Sequence, residues 1–165
     1  MDIISHGLWG GLSSGQKNKK MFWTAFAIGV SPDLFSFGLL FAGRILGLVS
    51  GPDWSAGPPD PASIPQFVDS FYNVTHSLVI FALVFGLVWF IRKKPFIPLF
   101  AWAAHIVLDI FTHSVDFYPT PFLWPVSDFV IDGISWGQPI IFFPNLVLLV
   151  IGFFVWWWSK KKNNT

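Results

Sequence analysis

The chain has 165 residues, 53% of them hydrophobic and 19% aromatic, with only 12% charged and a mean hydropathy of +0.59, a balance that suits a membrane solvent and not water. Its net charge of +1, with all its basic residues but Arg44 gathered in three short clusters, leaves no basic face for nucleic acid. The absence of cysteine excludes thiolate metal sites, catalytic thiols and disulfides, and because every acidic residue is an aspartate, any carboxylate ligand or base is an aspartate.

From the N-terminus, Asp2 stands where a secretory signal carries a basic residue and no small-residue cleavage site follows, so the first residues are expected in the mature protein. Residues 2–12 are apolar with small residues, residues 15–20 are polar, and the next apolar stretch meets Ser31-Pro32, where proline disfavours continuing a helix. The pattern predicts an antiparallel helical hairpin reaching only partway across the bilayer, with His6 and Asp33 at similar depth. Such an element is tolerated at membrane depth only under cover of other helices. Apolar stretches at 21–49, 73–91, 95–113 and 139–158 are read as membrane helices, most of them near the ~20 residues that cross a bilayer. Between the first two, the Gly- and Pro-rich run 51–65 is a solvated connector.

Basic clusters fall at Lys17, Lys19 and Lys20, at Arg92, Lys93 and Lys94, and at Lys160, Lys161 and Lys162, while the connections 50–72 and 114–138 hold six aspartates and no lysine or arginine. The positive-inside rule then puts both termini in the cytoplasm, with Phe22, Trp23, Trp89, Phe90 and Trp156 to Trp158 as interfacial belts. The fold class expected is an all-α, multi-pass transmembrane helix bundle in the cell (inner) membrane, of about four spans plus the partly inserted hairpin. It forms a single membrane domain over 1–165: hairpin and first span 1–50, outer loop 51–72, second and third spans 73–113, outer loop 114–138, last span and basic tail 139–165. Oligomeric state is not legible.

All four histidines, His6, His76, His105 and His113, lie in or beside apolar segments, as do Asp33 and Asp109. Placing an Asp at the centre of a membrane helix costs on the order of 2.5 to 3.5 kcal/mol, so such a group ordinarily faces a partner or a cavity. His105, Asp109 and His113 are spaced i, i+4, i+8 and drift by only ~40° per step, so one helix face presents all three. At about 1.5 Å per residue Asp33 stands ~20 Å above Lys20, His76 ~24 Å above Arg92 and Asp109 ~22 Å above Lys94; His105 lies at ~17 Å, His113 at ~29 Å, and His6 at ~17 Å if the hairpin forms. Separate helices thus bring nitrogen and oxygen ligands to one level, nearer the outer face. Against this stand plainer roles: a histidine alone in a membrane helix is commonly a hydrogen-bonded packing residue, Asp33 suits a helix cap beside Pro32, and His113 suits the aqueous interface.

The strings Ser5-His6, Ser31-Pro32-Asp33, Thr75-His76-Ser77, His105-x-x-x-Asp109-x-x-Thr112-His113 and Pro121-Phe122-Leu123-Trp124-Pro125-Val126-Ser127 occur in an order that resembles the bacterial membrane-bound metal-dependent hydrolases, the family that includes a LexA-regulated inner-membrane protein. Phe35 and Val74 depart from its pattern, which has a second aspartate soon after the Pro-Asp pair and an arginine or glycine before Thr-His. The resemblance implies hydrolysis, and its His-x-x-x-Asp helix is similar to that of zinc-dependent phospholipase C and single-strand nucleases, which cleave phosphoesters. Carried over position by position, it implies His76, His105 and Asp109 as core metal ligands, with Asp33, His6 and His113 completing or flanking the site.

The function expected is a membrane-embedded metal-dependent hydrolase of an ester or phosphoester, a lipid being one candidate substrate, with zinc favoured by imidazole and carboxylate ligands. The cation acidifies water and stabilises charge on the scissile group, and an aspartate moves the proton: Asp33, or alternatively Asp132. Asp33 is therefore open between ligand and base, and the catalytic residues are Asp33 and Asp109. Phe117, Tyr118, Trp124 and Trp136 of the second outer loop offer a roof for an amphipathic substrate. Two other readings compete. A metal or proton-coupled transporter needs access from both sides, whereas residues 79–90 and 96–104 carry no charged or hydroxyl side chain. A noncatalytic membrane protein clamped by its metal needs a closed coordination shell.

Overall fold

Asp2 opens the first helix, α1 (Ile3–Ser14), by accepting the Ser5 N–H at 2.9 Å, and Asn18 opens the second, α2 (Lys19–Ile45), by accepting that of Met21 at 2.9 Å; both satisfy donors that a helix start otherwise leaves unpaired. The computed structural model describes residues 1–55 and 57–163, and among these it is helical with no strand. After α2 come α3 (Gln66–Thr75), α4 (Leu78–Arg92), α5 (Ile97–Thr112) and α6 (Pro139–Asn163). Outside them lies one short 3-10 turn, Pro61–Ser63, in the Gly- and Pro-rich connector.

Pro32 does not end α2. Lacking an N–H, it leaves the Ile28 carbonyl without its helical donor, and Ser31 Oγ donates to that oxygen instead at 2.8 Å. The next turn widens into a π-helix over Leu34–Gly38, where Ser36 Oγ donates to the Pro32 carbonyl at 3.0 Å. Only the first arm of the predicted hairpin is short, since the 12 residues of α1 reach ~18 Å, while α2 runs on for 27.

The stretch read as the second span breaks at His76 instead of running straight through. Helix α3 starts earlier, inside the predicted outer loop, and meets α4 at a bend of 57°. Ser77 makes the restart possible, its hydroxyl accepting the N–H groups of Val79 and Ile80, both at 3.1 Å. The helical bundle is thus present, but with two or three candidate spans among the described residues where about four were expected. Helices α2 and α6 are each long and apolar enough to cross a membrane alone, α3 and α4 reach that length only as a bent pair, and α5 is shorter.

Close packing fixes α1 against α2. A Cβ on Gly10 would stand 2.7 Å from the Ala25 carbonyl oxygen and 3.0 Å from Ala101 Cβ, and one on Gly29 would stand 2.6 Å from the His6 carbonyl oxygen. Residue 10 faces residue 25 and residue 6 faces residue 29, so the two helices run antiparallel with backbones in contact, as the hairpin reading expected. Helix α6 joins through polar groups: Asn145 Nδ2 donates to Ser5 Oγ and Trp9 Nε1 donates to Asn145 Oδ1, both at 2.8 Å, the kind of interhelical bond that lipid cannot replace. Phe22 stacks on Trp156 with ring centroids 5.3 Å apart, so the lysine-bearing start of α2 and the lysine-bearing end of α6 share one end of the bundle. Much of the rest of α6 presents apolar side chains outward, among them Ile140, Phe143, Val150 and Phe154, as a lipid-facing helix does.

Gly29→Val is expected to destabilise the protein by about 1–3 kcal/mol, because the backbones cannot part without undoing the contact at His6. Thermal unfolding of detergent-purified protein measures this, and an unchanged transition would show that the α1–α2 contact is looser than described.

Candidate metal centre

The backbone features just described each deliver one side chain to the same place. Helix α1 carries His6, the turn before the π-segment of α2 carries Asp33, the break between α3 and α4 carries His76, and α5 carries His105 and Asp109 with His113 at its C-terminal cap. His6, His76, His105 and Asp109 are all at most 1% exposed. The side chains of Asp33 and His113 remain 20% and 14% exposed, so the cluster opens to its surroundings at these two residues.

Three of the four rings are oriented by backbone carbonyls, which only accept. His76 Nδ1 lies 3.1 Å from the Tyr72 carbonyl, His105 Nδ1 2.7 Å from that of Gly29, and His113 Nδ1 2.9 Å from that of Tyr118. Each Nδ1 is thus placed to donate, and in a neutral ring this leaves the Nε2 lone pair facing inward. The Nε2 atoms of His76 and His105 then face each other at 3.0 Å. Beside them stands Asp109 Oδ2, at 3.1 Å from His105 Nε2 and 3.5 Å from His76 Nε2, and Asp33 Oδ1, at 3.8 and 3.5 Å from the same two atoms. One ligand atom from each of Asp33, His76, His105 and Asp109 lies within 4.8 Å of the others. Asp109 Oδ2 has no hydrogen-bond partner although it is buried, a state that ordinarily costs 1–3 kcal/mol or more for a charged group.

The other oxygen of Asp109 faces a second group. His6 Nε2 is 2.9 Å from Asp109 Oδ1, His113 Nε2 is 3.6 Å from it, and the Met1 amino nitrogen contacts it directly. The His6 ring stacks on that of His105, centroids 3.6 Å apart. All six residues singled out in the sequence thus meet around one carboxylate. Asp132, the alternative proton carrier, stands elsewhere in role: it is exposed and its carboxylate accepts the Val115 N–H at 3.0 Å.

Sequence reasoning passed over Tyr72. Its ring stacks on His76 with centroids 3.8 Å apart, its carbonyl takes the His76 Nδ1–H, and its hydroxyl lies 3.0 Å from both His113 Nδ1 and the Tyr118 carbonyl. It sits four residues before His76 on α3, a helix hidden by its position in a predicted loop, and only its i, i+4 spacing to His76 signals the contact. Tyr118 presents its carbonyl from a left-handed backbone, φ 52°, a conformation uncommon outside glycine, and its hydroxyl donates to Asp69 Oδ1 at 2.6 Å. Burial and the adjacent Asp69 carboxylate push the Tyr118 phenol above its usual range.

The expected roof is partly realised. Phe117 and Tyr118 pack with Phe37, Trp54 and Tyr72, and the same loop caps α5, with Gly133 N–H donating to the His113 carbonyl at 2.9 Å and Trp136 N–H to that of Thr112 at 2.9 Å. Trp124 works through its carbonyl, which accepts Ser77 Oγ at 2.5 Å beside the helix break.

Fold and cluster together define a helical membrane protein with a convergent His/Asp cluster inside its bundle. The chain is matched over residues 1–165 by the family model described as YdjM inner membrane protein, and it belongs to that family, a bacterial inner-membrane protein family. Comparison with curated proteins and with solved structures finds no match.

Histidine-selective ¹⁵N spectra of chelator-treated protein are expected to show Nδ1-protonated rings for His76, His105 and His113. Nε2-protonated signals from His76 or His105 would contradict the inward-facing lone pairs.

Proposed function

We propose that the chain is a metal-dependent hydrolase embedded in the inner membrane, acting on an ester or phosphoester carried by a lipid, with zinc as its ion. The observation that carries this reading is the approach of two Nε2 lone pairs, on His76 and His105, to 3.0 Å, beside a buried carboxylate oxygen that lacks a partner. Like lone pairs repel unless a positive charge is shared between them. The donor set fits zinc: two imidazole nitrogens and a carboxylate oxygen are among its ordinary ligands, with a fourth position left open. Tetrahedral bonds of about 2.0–2.1 Å imply ligand-to-ligand edges of about 3.3–3.4 Å, and the three separations among His76 Nε2, His105 Nε2 and Asp109 Oδ2 are 3.0, 3.1 and 3.5 Å.

His76, His105 and Asp109 would hold the ion, and the carbonyls of Tyr72 and Gly29 keep the two rings aimed. When bound, zinc supplies Lewis-acid polarisation of the scissile oxygen and acidifies water. Asp33, at the longer distances and with 20% of its side chain exposed, stands at the open edge and takes the proton of the attacking water. The open edge also argues against a closed, noncatalytic clamp. Leu34 and Phe35, 48% and 56% exposed beside Asp33, offer the apolar surface that an acyl chain would cover, which favours a lipid over a water-soluble ester.

The asymmetry of basic and acidic segments supports cytoplasmic termini and a site toward the outer face. Alkaline phosphatase fused after Gly57 is expected to be active and a fusion at the C-terminus inactive, and the reverse pattern would invert the topology.

Purified protein is expected to retain zinc by elemental analysis and to hydrolyse members of a lipid ester and phosphoester panel. Asp109→Ala should lower that activity by about a thousandfold or more, since the ion's stabilisation of the transition state amounts to several kcal/mol, while the protein still inserts. Retained metal with no hydrolysis across the panel would turn the reading to the clamp. Metal-dependent flux in sealed vesicles without hydrolysis would turn it to a carrier.

A further inference from the structure

Asp109 has two faces, and the ion proposed above uses only one of them. Toward Oδ1 the bundle presents His6 Nε2 at 2.9 Å and His113 Nε2 at 3.6 Å. His113 has its lone pair turned to this side, because its Nδ1–H is taken by the Tyr118 carbonyl. The His6 ring is 1% exposed, and neither of its nitrogens has an aligned hydrogen-bond partner. A fully buried polar ring whose close contact with a carboxylate is not aligned as a hydrogen bond costs free energy unless something else engages it. The amino nitrogen of Met1 also lies here, against Asp109 Oδ1 and 3.2 Å from His113 Nε2.

We infer that His6 Nε2, His113 Nε2 and Asp109 Oδ1 form a second divalent-cation site, joined to the first by the Asp109 carboxylate as a bridge. This deepens the hydrolase reading and rests on its first ion. The arrangement is specific in three ways. Each Asp109 oxygen faces its own pair of histidines, His76 and His105 on one side and His6 and His113 on the other. The two halves touch, through the stacked rings of His6 and His105. Each half opens at a different residue, the first at Asp33 and the second at His113, so a substrate oxygen reaching between the openings would meet both cations. The ligand class is a borderline cation such as zinc or manganese, taken by imidazole and carboxylate donors, and the separation that a bridged pair adopts is about 3.5–4 Å.

The test is metal stoichiometry on full-length protein in detergent, stripped with chelator and titrated with zinc. Wild type is expected to take up two equivalents per chain, His6→Gln and His113→Gln one each, and His105→Ala to lose the equivalent of the first site. X-ray absorption of the zinc-loaded wild type should add a metal–metal distance of about 3.5–4 Å, a readout that holds even if a variant misfolds. One equivalent in wild type with no such vector would overturn the second site and leave the first standing. No zinc in wild type would overturn the metal reading as a whole.

Discussion

A carboxylate with no exposed surface in the middle of an apolar bundle is the constraint around which the rest of this molecule is arranged. Asp109 sits on α5 at 0% exposure, where an isolated ionised carboxylate is expensive in water-free surroundings and more so in a bilayer. Three imidazoles from α1, the α3–α4 break and α5 crowd its oxygens, with a fourth at the cap of α5. Each is the remedy for the others: the buried rings face a negative group, and the carboxylate faces polar ring nitrogens in return.

Local irregularities in the helices serve this convergence. His76 can leave α3 and aim its ring sideways because the helix stops at Thr75 and restarts on the hydroxyl of Ser77. A straight helix would point that ring along one fixed direction relative to its neighbours. The wide turn after Asp33 continues α2 while Ser31 and Ser36 satisfy the carbonyls that Pro32 and the π-segment disturb. Gly29 adds the complementary device. Without a side chain it lets α1 approach to backbone contact at His6, and its own carbonyl takes the Nδ1–H of His105, so one residue both admits one histidine and orients another.

Support from outside the cluster is mostly backbone and aromatic. The carbonyls of Gly29, Tyr72 and Tyr118 fix three rings, and Tyr72 spans the gap between His76 and His113 with its ring and hydroxyl. The loop after α5 returns its own N–H groups to the last carbonyls of that helix, and with Asp132 on the Val115 N–H and Asp69 on the Tyr118 hydroxyl this holds His113 and Tyr118 in place. On the far side, Asn145 ties the lipid-facing α6 to α1 through Ser5 and Trp9, and Ser5 is the neighbour of His6.

Composition and periodicity alone indicated the solvent, the helical class and which six side chains had to find partners, because the bilayer charges for every polar group and helical rise converts residue number into height along a segment. The i, i+4 spacing on α5 put His105 and Asp109 on one face, whereas His113, expected one step further along it, follows the helix end at Thr112 as an extended cap residue. The antiparallel hairpin that brings His6 beside Gly29 was likewise legible from the polar turn at 15–20. What only the tertiary structure decided is direction. Height says that His76 and Asp109 share a level but not that Ser77 restarts the helix so the ring turns inward. Proline preference suggested a stop at Pro32, where side-chain hydroxyls instead supplied the missing donors. Tyr72 and the division of Asp109 into two faces depend on rotations about helix axes and on which carbonyl meets which ring, and those are set by packing between segments far apart in the chain.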